Sequence, residues 1–132
     1  MALSRKQARE AAFRILFAMG GDVAQDFADV LKIACESELP TGRELEFVQG
    51  LVTACVDNLA AIDDIIRTHS RGFAFDRIFK TDLTALRMGI AEVKFASGTP
   101  VVVAINEAVE IAKKYGTEKS GGFVNGILAQ VI

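Results

Sequence analysis

An apolar stripe that runs unbroken through residues 45–66 constrains the fold more than any other feature of this chain. Leu45, Val48, Val52, Cys55, Leu59, Ile62 and Ile66 alternate spacings of three and four, the period that puts side chains on one face of an α-helix. Thr41 and Glu44 stand at capping-box spacing just before it. The pattern predicts one long central helix, packed along its whole length against neighbours in a bundle. A two-chain coiled coil would use the same seam. The flanking segments carry enough apolar surface to cover it from within the chain, which favours the bundle. With 132 residues and 51% hydrophobic content, one domain with a substantial core is expected over residues 1–132.

The remaining periodic segments are helical as well. Ser4 and Gln7 make a capping-box pair, and Ala8, Ala12, Ile15, Leu16 and Met19 follow as a helical stripe ending near Gly20 and Gly21. Asp22 opens a second helix with Val23, Phe27, Val30, Leu31 and Ala34 inward, closed before Pro40. In FAFDRIF, the residues Phe73, Phe75, Ile78 and Phe79 read as core, and His69 before them as a surface loop residue. Thr81 or Asp82 caps a helix carrying Leu83, Leu86, Ile90 and Val93.

Pro100 then starts a further helix, whose apolar face is Ala104, Ile105, Ala108, Ile111, Ala112 and Tyr115. Gly116 is expected as its left-handed C-terminal cap and Thr117 as the N-cap of the last helix. Gly121, Gly122 and Gly126 interrupt that last helix, which suggests close approach to its backbone. The expected architecture is all-α, a single bundle of about seven helices.

Charge narrows the function. The net charge is −2, but residues 1–20 carry +3, with Arg5, Lys6, Arg9 and Arg14 against Glu10, whereas residues 21–46 carry −5. Arg5 and Arg9 are four apart and are expected on one solvent face with Lys6 beside them. Positive charge in a first turn opposes the helix dipole, so polyanion binding would supply the compensation. Lys113, Lys114 and Lys119 lie near the last helix junction with Tyr115 and Phe123, a mixture suited to single-stranded nucleic acid.

Catalysis has little to build on. There is one His, no phosphate-cradling loop and no nucleophile elbow, and the adjacent Asp63 and Asp64 diverge on a helix. No cofactor and no metal is expected. Cys35 and Cys55 have no metal-ligand spacing and read as buried free thiols of a cytoplasmic protein. No apolar run approaches the length of a membrane span.

Three segments bear a family resemblance: RKQAREAAFRILF, TDLTALRMGIAEV, and VAINEAVEIAKKYG followed across a turn by Ser120 and FVNGIL. They resemble the NusB family of bacterial transcription antitermination factors. The resemblance implies an all-helical fold that binds the boxA element of ribosomal RNA leader transcripts and pairs with the ribosomal protein that doubles as NusE. It also implies assembly with NusA, NusG and RNA polymerase, and leaves room for a homodimer. RNA binding would pass to Arg5, Lys6 and Arg9, with Lys113, Tyr115, Lys119 and Phe123; the helix over 82–97, with Asp82, Arg87 and Glu92, would contribute to the NusE surface. Asn106, Glu107 and Asn125 fit structural hydrogen bonding.

Departures from the family pattern are a shorter basic run broken by Gln7, and Lys119 and Gly122 where an acid and a lysine are usual. Two other readings share these features. One is an RNA-binding module of the kind fused to ribosomal RNA methyltransferases, although no methyltransferase domain is attached here. The other is a structural helical dimer.

Overall fold

The computed structural model describes residues 4–20, 27–34, 40–70, 72–96 and 98–131, with side chains described at 29–32 within the second segment. Expectations for Gly21, Asp22, Val23 and Cys35, and for the side chains of Phe27 and Ala34, fall outside the described residues. The helices are α1 (Arg5–Met19), α2 (Phe27–Ala34), α3 (Gly42–Asp57), α4 (Leu59–His69), α5 (Lys80–Ile90), α6 (Val101–Tyr115) and α7 (Ser120–Val131). A single 3-10 turn, Phe75–Arg77, precedes α5, and a wider π turn, Ala91–Phe95, continues it. Among the described residues there is no strand, and the all-α expectation holds.

Both ends of α1 follow the local chemistry of its sequence. Ser4 Oγ accepts the Gln7 N–H at 3.1 Å, while Gln7 Oε1 accepts the Ser4 N–H at 2.9 Å. Gly20 closes the helix in the left-handed region at φ 58°, where glycine avoids the Cβ penalty.

The long apolar stripe does not form one helix. It breaks at Asn58 into α3 and α4, bent by 72° from one another. Asn58 Nδ2 donates to the Ala54 carbonyl at 2.8 Å, and the backbone at Asn58 leaves helical geometry at φ −119°, ψ 20°. A short amide side chain that competes for backbone groups can end a helix without interrupting its apolar spacing. The capping box expected at Thr41 is also absent: Thr41 makes no side-chain cap, and Glu44 reaches Arg5 instead.

The bend transfers the central role to α5. This helix packs against α1, α3, α4, α6 and α7, and Thr81, Asp82, Thr84, Ala85, Leu86, Met88, Gly89 and Ile90 are all buried. Close approach requires a small residue in its last turn. A Cβ on Gly89 would stand 3.0 Å from Leu128 Cδ1 and 3.1 Å from Ala108 Cβ. Around α5 the core collects Ala8, Phe13, Ile15 and Leu16 of α1, Leu51 and Val52 of α3, Ile62 and Ile66 of α4, and the inner faces of α6 and α7.

Several local expectations are revised. Gly116 is extended at φ −101°, ψ −150°, not left-handed; a Cβ there would collide with Ser120 Oγ and the Ala112 carbonyl. Thr117 does act as a cap: its Oγ1 accepts the Lys119 N–H at 3.3 Å, and Ser120 Oγ accepts the Thr117 N–H at 2.9 Å. Of the three α7 glycines, only Gly121 is approached closely, by the aliphatic stem of Lys113. Gly122 and Gly126 face open space.

Phe73 and Phe79, expected in the core, are 45% and 55% exposed, whereas Ile78 is buried. His69 ends α4 half-buried, with Nδ1 2.8 Å from the Ile65 carbonyl, so it belongs to the helix and not to a loop.

Cys55 is a buried free thiol whose pKa burial pushes up to about 12, with Asp63 adding to the rise and Arg87 opposing it. The thiolate fraction at pH 8 is then on the order of one part in 10⁴. Iodoacetamide labelling of native protein at pH 8, followed by mass spectrometry, is expected to leave Cys55 unmodified until denaturant unfolds the chain. Prompt labelling without denaturant would contradict this burial.

Candidate nucleic-acid interface

The basic start of α1 divides into residues of different fates. Arg5 is exposed, its Nε 3.1 Å from Glu44 Oε2 and its guanidinium 4.2 Å from the Phe47 ring centre. Lys6 is exposed one residue on. Arg9 does not share the solvent face expected for it. It is 3% exposed, and its Nε and Nη2 hold Glu92 Oε1 and Oε2 at 2.8 and 2.7 Å, while Nη1 reaches Glu107 Oε1 at 3.3 Å.

One helical turn beyond Arg5, the Arg9 side chain meets the π turn and α6, where two acids receive it. The first turn of α1 lacks an acid of its own, so the compensation expected from a polyanion comes partly from Glu44, Glu92 and Glu107. Glu107 has the structural hydrogen-bonding role expected of it; Asn106 and Asn125 are exposed.

A second group gathers where α1 meets the end of α6. Glu10 Oε1 accepts from Lys114 Nζ at 2.6 Å and from the Tyr115 hydroxyl at 2.9 Å. That hydroxyl in turn accepts from Arg14 Nη1 at 2.8 Å. Burial alone would raise the Glu10 carboxyl, but the hydrogen bonds from Lys114 and Tyr115 and the charges of Lys114 and Arg14 outweigh it and hold the pKa below its ordinary value. The hydrogen bond to Glu10, with its charge, raises the pKa of Lys114. Lys6, Glu10, Glu107, Glu110, Ile111 and Lys114 line a cleft of about 150 Å³ on this seam. Phe13, Arg14, Phe17, Thr81 and Tyr115 line a neighbouring groove of about 240 Å³.

The two candidate stacking residues do not form one wall. Tyr115 packs 5.0 Å from Phe13, between ring centres, and Phe123 pairs with Phe73 at 5.4 Å. Lys119 is exposed in the turn between α6 and α7, and Lys113 is exposed at the end of α6 beside Glu110. Sequence reasoning missed Phe73 as a surface aromatic, because apolar spacing around the 3-10 turn resembles that of a core segment.

The residues expected at a partner surface are largely covered and paired within the chain. Glu92 is 2% exposed with both carboxylate oxygens held by Arg9, so it cannot offer them to another protein. Asp82 is buried too, and its Oδ1 has no hydrogen-bond partner. Arg87 is only half-buried but is engaged with Asp63, through Nε and Nη2 at 2.9 Å each. That pair also explains Asp63, whose neighbour Asp64 turns to Arg67. Helix α5, expected to contribute to a partner surface, is covered by its neighbours on most sides.

Among the described residues no group of His, Cys, Asp or Glu is arranged to hold a metal ion. No single described helix is long and apolar enough to cross a membrane.

The NusB family profile matches residues 6–132. The chain belongs to the NusB family. The transcription antitermination protein NusB of Agathobacter rectalis is 36% identical over 135 aligned positions, covering 97% of this chain and 98% of that one. Its counterpart from Natranaerobius thermophilus is 37% identical, covering 98% and 94%. Among solved structures, T. maritima NusB superposes with a TM-score of 0.86 at 33% identity, covering 99% of this chain and 92% of that one. A crystal structure of the antitermination factors NusB and NusE in complex with double-stranded RNA gives a TM-score of 0.83 at 31% identity, covering 96% and 94%.

Proposed function

We propose that this protein is a cytoplasmic transcription antitermination factor, folded as one RNA-binding domain over residues 1–132. It binds the boxA element of ribosomal RNA leader transcripts with a NusE-type ribosomal protein and joins NusA, NusG and RNA polymerase. Its action is assembly and not catalysis. The observation that carries the reading is the likeness over nearly the full chain to NusB proteins, one of them solved with NusE and RNA.

The RNA face is assigned to Arg5 and Lys6 on α1, to Lys113, Tyr115 and Lys119 at the end of α6 and the following turn, and to Phe123 with Phe73 beside it. Exposed cations neutralise phosphates, and half-exposed rings offer stacking surfaces. Arg9 supports this face from within through Glu92 and Glu107 and does not touch the strand. The NusE surface is not built from Asp82 and Glu92, which are covered.

The test is a titration of labelled boxA RNA and a scrambled control, with and without the NusE partner, across a range of salt. The boxA strand should bind more tightly than the control, and the partner should strengthen it. Equal binding of both strands, or none with the partner present, would sink the reading. Neutralising Arg5 and Lys6 to Gln should weaken binding and flatten the dependence of log K on log salt by about 0.7 for each phosphate no longer neutralised. An unchanged slope would remove these two residues from the site.

A further inference from the structure

On the α1–α6 seam Glu10 lies among Lys6, Lys114 and, through Tyr115, Arg14. The Glu10 side chain is 12% exposed, against 61% for Lys114, so the carboxylate is the buried partner and the ammonium the one open to solvent. Tyr115 holds the same oxygen, Oε1, from the other side, and Arg14 donates to Tyr115. One half-buried carboxylate thus draws in Lys114 and Tyr115 directly and Arg14 through the phenol. Glu107 and Glu110 line the same cleft with Lys6 and Lys114, which leaves the seam with no surplus of positive charge.

We propose that Glu10 is a specificity-determining residue for RNA: its carboxylate holds Lys114 where a phosphate oxygen would otherwise take it, so a strand engages that lysine only by displacing or sharing it. The inference rests on the RNA-binding reading above. An ammonium has three donors and Glu10 uses one, so a phosphate can share Lys114, but only with two anions brought close together. Repulsion between like charges disfavours wrong partners more than it strengthens right ones. A strand held to this face at other points as well tolerates the acid; a strand held by charge alone does not. Glu10 therefore lowers affinity for all RNA and lowers it most for RNA without the recognised sequence.

The experiment measures Kd for labelled boxA RNA and a scrambled strand of equal length, with wild-type protein, Glu10→Gln, Lys114→Gln and the double variant, at several salt concentrations. Gln keeps the shape of Glu10 and an acceptor for the Tyr115 hydroxyl while removing the charge. Expected for Glu10→Gln is tighter binding of both strands, about five- to tenfold for the scrambled one and less for boxA, with a salt slope steeper by about 0.7. Lys114→Gln should cost at least about threefold more in the Glu10→Gln background than in the wild type, the signature of two coupled residues.

No gain in affinity from Glu10→Gln, or the same Lys114→Gln loss in both backgrounds, would overturn the proposal. Should Glu10→Gln fail to fold, Glu10→Asp serves instead: it keeps the charge but withdraws its reach from Lys114, and intermediate affinity is expected, with wild-type affinity counting against the proposal. If neither wild type nor Glu10→Gln binds boxA RNA even with NusE, the RNA-binding reading itself fails and takes this inference with it. If wild type binds, weakens on neutralising Arg5 and Lys6, and gains nothing from Glu10→Gln, only the role of Glu10 is refuted.

Discussion

Replacing Arg9 with Ala is expected to destabilise the fold by about 3–5 kcal/mol, because it leaves Glu92 buried without its counter-charge. Arg9 and Glu92 side chains are 3% and 1% exposed and share two hydrogen bonds, so the Glu92 carboxylate is desolvated and depends on this partner. For a chain of this length the effect corresponds to roughly 10–20 °C in Tm. Urea unfolding should show a lower midpoint with an unchanged m-value.

The double variant Arg9→Met with Glu92→Leu is expected to recover much of this stability, since a buried pair contributes less in its own right than its disruption costs. If Arg9→Ala unfolds at the wild-type midpoint, the buried pair is not a structural element of this fold. A retained midpoint with a flattened salt slope for RNA would return Arg9 to the binding face.

The second large effect is expected at Leu86. It lies fully buried on α5, the helix that packs against α1, α3, α4, α6 and α7, and a core held by so many neighbouring helices collapses little into the space a truncation leaves. Leu86→Ala should therefore fall in the range of about 3–5 kcal/mol that cavity-forming substitutions reach at rigid sites. Val102→Ala is the control: that valine is 67% exposed, and its truncation should stay within about 0.5 kcal/mol. Chemical denaturation of the two variants tests the comparison directly. Equal small effects at both positions would contradict the central placement of α5.

Legibility varies with how local the governing physics is. The start and end of α1 are readable, since Ser4, Gln7 and Gly20 act on backbone groups within a turn of themselves. The apolar faces of α6 and α7 are readable because burial follows the helical period. The break at Asn58 is not, because the stripe from Leu45 to Ile66 keeps its spacing through the bend, and the only sign of it is one amide side chain. Phe73 and Phe79 depart from expectation for a related reason: around the 3-10 turn no period says which rings face inward.

The site shows the same division more sharply. Arg5 and Arg9 are equivalent by type and share a face by spacing, yet one is exposed on the Phe47 ring and the other is buried between Glu92 and Glu107. Those acids lie 83 and 98 residues further along the chain, beyond the reach of any local pattern. In the sequence Glu10 is only one acid against four cations, and its place among Lys114, Tyr115 and Arg14 depends on how α1 lies along α6.

By itself the sequence determined the class of fold, several caps, the family and the regions that carry charge, because each depends on short-range periodicity or on a recognisable run of residues. Tertiary structure alone decided which helix is central, which arginine is open to a phosphate and which acid competes with it. The physical reason is that burial and charge pairing belong to contacts between helices, and the partners in those contacts are chosen by packing and not by neighbourhood along the chain.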